Sequence, residues 1–226
     1  MFTLDQVVPW GRSLEEYRRM FALTDEELGL RILGCADGPA SFNAEASRRG
    51  CRVVSCDPLY RFSATQIQDR IAAIYGQVME QARQNADDYV WSTIPSIEEL
   101  GSVRMAAMRE FLSDFPEGKT AGRYVDAELP VLPFGDGSFD VALSSHFLFL
   151  YSDHVDKAFH RASVREMCRL APDVRIFPLL ALSGQRSPFV DDVAEECVRS
   201  GCEVSIDTVA YEFRRGANQM MRIRRS

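Results

Sequence analysis

The chain has 226 residues, 46% of them hydrophobic, with 33 acidic against 26 basic side chains and a formal net charge of -7. That length buries one substantial core, so a single α/β domain over residues 1–226 with an insertion fits better than two independent domains. The acidic balance argues against a nucleic-acid partner, and no apolar run approaches the ~20 residues that span a bilayer, which argues against a membrane one.

The elements follow in chain order. Residues 1–29 read as an N-terminal helical cap. Its opening, MFTLDQVVPWGRSLEEY, lacks the apolar stretch of a signal peptide. Ser13-Leu-Glu-Glu16 and Thr24-Asp-Glu-Glu27 have capping-box form, in which a hydroxyl accepts from the amide three residues on while the glutamate reaches back. Residues 30–34 form a short apolar strand that runs into the turn GCADGPASF, and residues 40–49 a helix. Residues 52–56, RVVSC, are a second strand ending at Asp57-Pro58.

Residues 60–120 break this rhythm. Ile67, Ile71, Ile74, Tyr75, Val78 and Met79 recur at helical spacing, and Ile97, Leu100, Met105, Met108, Phe111 and Leu112 do so more loosely. Ser63-Ala-Thr-Gln66 and Ser96-Ile-Glu-Glu99 mark the two starts. The stretch is about twice what one crossover helix needs, so it reads as a helical insertion. Its apolar face can cover either a substrate pocket, as a lid, or a second copy of the chain, as a homodimer.

Beyond it come strands at 123–126, 139–144 and 174–180, with a helix at 153–170 and another at 188–200 opened by Ser187-Pro188. Residues 203–213 and 219–224 flank a short loop and read as a terminal β-hairpin. Arg214, Arg215, Arg222, Arg224 and Arg225 read as charges that keep its edge soluble. The expected architecture is a doubly wound, Rossmann-like, mostly parallel seven-stranded α/β sheet, closed by an antiparallel hairpin and carrying a helical insertion after its second strand.

The turn carries the chemistry. A strand, small residues and a helix start let backbone amides approach an anionic or nucleotide ligand. The dinucleotide spacing G-x-G-x-x-G fails at Pro39, whereas Gly34-x-Ala36-x-Gly38 matches G-x-G-x-G with one replacement. Asp57, at the end of the second strand, can accept hydrogen bonds from both ribose hydroxyls. Six cysteines occur without a C-x-x-C pair or a Cys/His cluster of zinc-ligand spacing, so they read as reduced thiols of a cytoplasmic protein with no metal site.

With these residues in view, the chain resembles the class I S-adenosylmethionine-dependent methyltransferases, and among them uncharacterised bacterial small-molecule types. GCADGPASF is similar to that family's first motif, SCDP to its second, and ELPVLPFGDGSFDVALSSHFLFLY to its third and fourth. The resemblance runs from Leu30 to the C-terminus apart from the insertion. It implies a methyltransferase with S-adenosylmethionine as cofactor, S-adenosylhomocysteine as product and a small-molecule acceptor. It would lay the methionine part of the cofactor along Gly34, Cys35, Ala36, Asp37 and Gly38, and its ribose on Asp57. Pro58, Leu59, Leu129 and an acid, Glu128 or its rival Asp126, would surround the adenine. Ser144, Ser145 and His146 would line the methyl-donor end. The sequence departs from the pattern at Ile32, where the family often has an acid, and at Ala36. Arg12 is a candidate partner for the cofactor's carboxylate.

His146 is the candidate general base, since its ordinary pKa suits proton transfer near neutrality. A residue that only positions the acceptor is its other role. His154 and His160 read as structural or solvated. Phe147, Phe149 and Tyr151 can form an aromatic wall or pack in the core, as can Tyr60, Phe62, Tyr75, Tyr89 and Trp91 around the insertion. Competing readings are a non-catalytic module that binds the cofactor or its demethylated product, a nicotinamide-dependent oxidoreductase, and a nucleic-acid methyltransferase. Pro39 and the hairpin weigh against the oxidoreductase, and acidity weighs against the nucleic-acid enzyme.

Overall fold

Strands β1 (Arg31–Cys35), β2 (Arg52–Cys56), β3 (Tyr124–Val125), β4 (Val141–Ser145), β5 (Asp173–Phe177), β6 (Cys202–Thr208) and β7 (Gln219–Arg225) form one sheet. Its order is β3-β2-β1-β4-β5-β7-β6. The first five strands pair in parallel, and β7 runs antiparallel to both β5 and β6. The structure is a computed structural model that describes residues 8–225, so the first seven residues of the expected cap lie outside the described residues.

Strand alternation splits the core in two. On one face Ile32, Val53, Val141 and Leu143 pack against α1 (Leu14–Phe21) and α2 (Phe42–Arg48). On the other, Leu33, Ala142, Val174 and Ile176 pack against α5 (Lys157–Leu170) and α6 (Val190–Arg199). The insertion is α3 (Ala64–Gln84) and α4 (Ile97–Thr120), which meet over a third cluster around Ile67, Ile71, Met108 and Phe111.

Local capping explains three of the starts. Ser13 with Glu16 and Ser63 with Gln66 form complete capping boxes, and Ser96 accepts from the Glu99 amide. Thr24 and Glu27 make the same reciprocal bonds, yet only the single 3-10 turn Glu27–Gly29 follows. The Glu27 carboxylate is also taken by Arg175 and Arg222, and β1 begins two residues beyond the turn. Ser187-Pro188 caps a turn rather than the helix, since Ser187 Oγ accepts from the Phe189 amide and α6 starts at Val190.

Two expectations need correction. The strand expected over 203–213 stops at Thr208. Residues beyond it leave the sheet to pair with the loop between α3 and α4: the Val90 amide donates to Phe213 O (2.8 Å) and the Arg215 amide to Asp88 O (2.8 Å). The hairpin arginines are also not all surface charges. Arg222 Nη2 lies 2.6 Å from Asp173, whose carboxylate also binds the fully buried Arg175 of β5. Arg214 donates to Leu182 O at 2.7 Å, while Arg224 and Arg225 remain exposed. Among the described residues no helix is long and apolar enough to cross a membrane.

Candidate active site

The strand order reverses between β1 and β4, whose carboxyl ends open a crevice of the kind that holds ligands in open α/β sheets. A cavity of about 1050 Å³ occupies it. Its floor at one end is the turn after β1. Ala36 and Gly38 both have left-handed φ, 58° and 55°, a region that costs an alanine roughly 1–2 kcal/mol. The Ala36 amide donates to Cys56 O (2.8 Å), which ties the turn to β2.

Gly34 serves a different need. A Cβ there would stand 1.8 Å from Asp37 Oδ2, so only glycine lets Asp37 fold back beneath the strand. In that position Asp37 accepts from Tyr17 OH (2.8 Å) and Ser55 Oγ (2.6 Å). Burial raises its carboxyl to about 7 despite these bonds. Gly34→Ala is therefore expected to expel the Asp37 side chain and leave Tyr17 and Ser55 without their acceptor. A melting-temperature loss of several degrees checks this; an unchanged melt contradicts it.

Asp57 ends β2 with its carboxylate turned back on the glycine turn. Oδ2 accepts from the Gly38 amide (2.8 Å) and Oδ1 from the Leu59 amide (2.7 Å). Burial raises this carboxyl to about 6, against the pull of those amides. Gly38, Asp57, Pro58, Glu128 and Leu129 all line this end of the cavity, with Cys35, Ala36 and Asp37. Leu59 does not: its side chain is fully buried with Tyr60 and Ile67, and only its amide serves the site. Asp126 is drawn to Arg61 at 3.1 Å, outside the lining, whereas Glu128 lies within it. Ser144 is fully buried, with its Oγ unbonded, and does not line the cavity.

Ser145 and His146 line the same cavity one strand over from the turn, since Ser144 of β4 pairs with Cys35 of β1. His146 follows β4 with a left-handed φ of 53° and donates its amide to Phe177 O (2.7 Å), a strained conformation held between two strands. Burial, then the guanidiniums of Arg12 and Arg104, hold its imidazole well below the ordinary value, so it is neutral at pH 7. Its Nδ1 lies 3.0 Å from Ser145 Oγ, and that hydroxyl donates to Met20 Sδ (3.8 Å). With Nδ1 engaged by Ser145, Nε2 is the ring nitrogen left to meet a ligand.

Behind His146 lies a polar network that sequence reasoning did not identify. Arg104 of α4 is fully buried and sits 2.7 Å from the Glu16 carboxylate of α1. Tyr211 donates to Glu16 (3.0 Å) and accepts from Arg104 (3.3 Å). Burial alone would raise the Glu16 carboxyl, but Arg104 and Arg12 more than offset it. The one sequence signal was Arg104 itself, on the apolar stripe of α4 between Leu100 and Met108. Arg12 lines the cavity beside this network, donates to Trp10 O (3.2 Å), and has a buried Nε with no hydrogen-bond partner.

The aromatic residues divide. Phe147, Tyr151 and Tyr89 line the cavity, whereas Phe149 is buried against His160 (5.6 Å) and Tyr60 packs with Phe111 (5.9 Å). His160 is structural, its ring nitrogens 2.7 and 2.9 Å from the carbonyls of Asp156 and Leu148. All six cysteines are free thiols.

A seven-stranded sheet of this order with a reversed penultimate position for its last strand has the class I S-adenosylmethionine-dependent methyltransferase fold. The solved mitomycin 7-O-methyltransferase shares it, at 16% identity and TM-score 0.51, over 94% of this chain and 54% of that one. The magnesium protoporphyrin IX methyltransferase of Synechocystis, solved with S-adenosylhomocysteine, aligns at 14% identity and TM-score 0.49, over 89% of this chain and 77% of that one. No family model matches the sequence. The chain belongs to the same family as the uncharacterised protein MJ0045 of Methanocaldococcus jannaschii, with 30% identity over 223 residues and 98% of both chains covered. That relative is archaeal, not one of the bacterial types the sequence had suggested.

Proposed function

We propose that this protein is an S-adenosylmethionine-dependent methyltransferase acting on a small molecule. The observation that carries the reading is one continuous cavity running from the Gly34–Gly38 turn and Asp57 to His146. At about 1050 Å³ it stands at the top of the ~300–1,000 Å³ range of ligand sites, which suits a cofactor together with a small second molecule. The residues present fit the cofactor: Asp57 for the ribose hydroxyls, Pro58, Glu128 and Leu129 about the adenine, and the turn for the methionine part. The unpartnered Arg12 Nε suits the cofactor's carboxylate. The pairing of residues 88–90 with 213–215, from which Asp88, Tyr89, Phe213 and Arg214 line the cavity, supports a small acceptor.

When bound, the cofactor supplies an electrophilic methyl group on a sulfonium. The chain's part is alignment, in which holding both reactants in a dry pocket can contribute roughly 7–11 kcal/mol. His146 Nε2 takes the acceptor's proton; burial and the Arg12 and Arg104 guanidiniums lower its basicity, which puts its gain toward the low end of the usual ~10²–10⁴-fold. Variants separate the two ends. His146→Ala is expected to lower labelled methyl transfer into a small-molecule extract by about 10²-fold or more with S-adenosylhomocysteine affinity retained. Arg12→Ala is expected to lower that affinity. Unchanged turnover in the first removes the base, and unchanged affinity in the second removes the carboxylate contact. No labelled transfer by the parent protein, with binding intact, would favour a non-catalytic module.

The raised carboxyls set a pH dependence. Asp37 and Asp57 hold protons to about 7 and about 6 when folded, so the folded protein binds more protons than the unfolded chain from about pH 4 to 7. Their contribution to stability therefore falls as pH rises through that window. Ribose binding needs the Asp57 anion, so cofactor affinity rises with pH over the same range. Melting scans and titrations at about pH 5 and about pH 8 should move in opposite directions, and parallel changes would contradict the assignment.

A further inference from the structure

Beyond the cofactor end, the cavity is walled by Phe147, Tyr151, Phe177, Tyr211, Phe213 and Tyr89. One pair makes a flat, fixed surface and a second an edge-on wall. Tyr89 stacks on Phe213 with centroids 4.7 Å apart and planes 17° apart, and Trp91 meets both rings edge-on at 5.5 and 5.7 Å. Phe177 stands edge-on to Tyr211 (5.7 Å) and to His146 (5.4 Å). The first wall cannot swing freely, because the Val90 and Arg215 amides bond across it to Phe213 O and Asp88 O. Rings held this way favour a flat partner over a puckered one, since stacking adds to the burial of apolar area.

The charges at this end cancel. Arg104 is matched by Glu16, and Arg214 by Asp88 (3.5 Å) with Leu182 O (2.7 Å). His146 is neutral at pH 7. Arg12 has its partner in the cofactor carboxylate, a step that rests on the proposed function. Asp37, Asp57 and Glu128 stand at the cofactor end. A charged acceptor would then be desolvated here with no free counter-charge to meet it.

We infer that the acceptor is an uncharged, flat aromatic molecule bearing a hydroxyl or ring N–H, seated between the Tyr89–Phe213 wall and the Phe177–Tyr211 wall with that group at His146 Nε2. The acceptor's oxygen or nitrogen forms a bond to the methyl carbon as the carbon–sulfur bond breaks, its electron pair remaining on sulfur. The acceptor's proton passes to His146 and then to water as the product leaves.

Calorimetry on the protein saturated with S-adenosylhomocysteine tests this with three probes of one size: 2-naphthol, 2-naphthoate and decahydro-2-naphthol. The first is flat and neutral, the second flat and anionic, the third neutral and puckered. The expected result is that 2-naphthol binds about tenfold tighter than either of the others. Phe213→Ala, and Phe213→Leu as a milder second variant, should weaken 2-naphthol about tenfold while S-adenosylhomocysteine affinity stays close to the parent's. Equal or tighter binding of 2-naphthoate or the decahydro compound, or no uptake of any probe by the loaded protein, overturns the inference and leaves the methyltransferase reading standing. Failure of S-adenosylhomocysteine itself to bind removes both.

Discussion

Replacing Arg104 by methionine is expected to destabilise the protein by about 3–5 kcal/mol, the cost of leaving a buried charge without its partner. Arg104 is fully buried and joins two distant parts of the chain: α1 and the residues just before it, through Glu16 and Gly11 O (3.3 Å), and the hairpin connection, through Tyr211. Methionine fills much of the volume but leaves the Glu16 carboxylate to Tyr211 and to the amide and hydroxyl of Ser13, all uncharged donors. For a chain of this size the melting temperature falls ~2–4 °C per kcal/mol, so the expected drop is roughly 6–20 °C. The double variant Arg104→Met with Glu16→Gln should recover a large share, because the uncompensated charge is gone. The deficit should also shrink in acid: Glu16 has a lowered folded pKa, so the stability its ionised form contributes is present above the ordinary value and lost as pH falls through the folded one. Calorimetric melts within a degree of the parent for the single variant would show that the network holds nothing.

Asp57→Ala is expected to weaken S-adenosylhomocysteine binding by about 10²-fold or more. Two hydrogen bonds from the ribose to a charged acceptor are worth about 1.5–3 kcal/mol each. The variant also leaves the Gly38 and Leu59 amides without the carboxylate that orders the turn. Asp57→Asn keeps one acceptor oxygen and should fall between the two. Titration calorimetry measures both, and an alanine variant within about threefold of the parent would mean that Asp57 shapes the turn without touching ligand.

What could be read from the sequence was mostly what neighbouring residues decide. Ser13 with Glu16 and Ser63 with Gln66 act across three residues, and both caps form where the spacing predicts them. RVVSC becomes β2 with the bounds its β-branched run suggests, and the alternation of strands and helices yields the sheet order of the fold. The hairpin's extent was not legible. Nothing in EVSIDTVAYEF says that the chain leaves the sheet at Thr208, because the cause is a pairing with residues 88–90 more than a hundred positions earlier. The same holds for Arg222, which reads as a surface charge until Asp173 and Glu27 are brought beside it. In the candidate site the turn and Asp57 were visible as a motif, whereas Tyr17 beneath Asp37 and Tyr211 behind His146 belong to contacts across the fold.

The proposed function requires an adenosyl ligand along the turn after β1 with its sugar on Asp57. Titrating S-adenosylhomocysteine into the folded protein by calorimetry tests it most directly. Saturable binding at one site per chain is expected, weakened in Asp57→Ala. A folded protein that takes up none of this ligand, at concentrations well into the millimolar range, would contradict it.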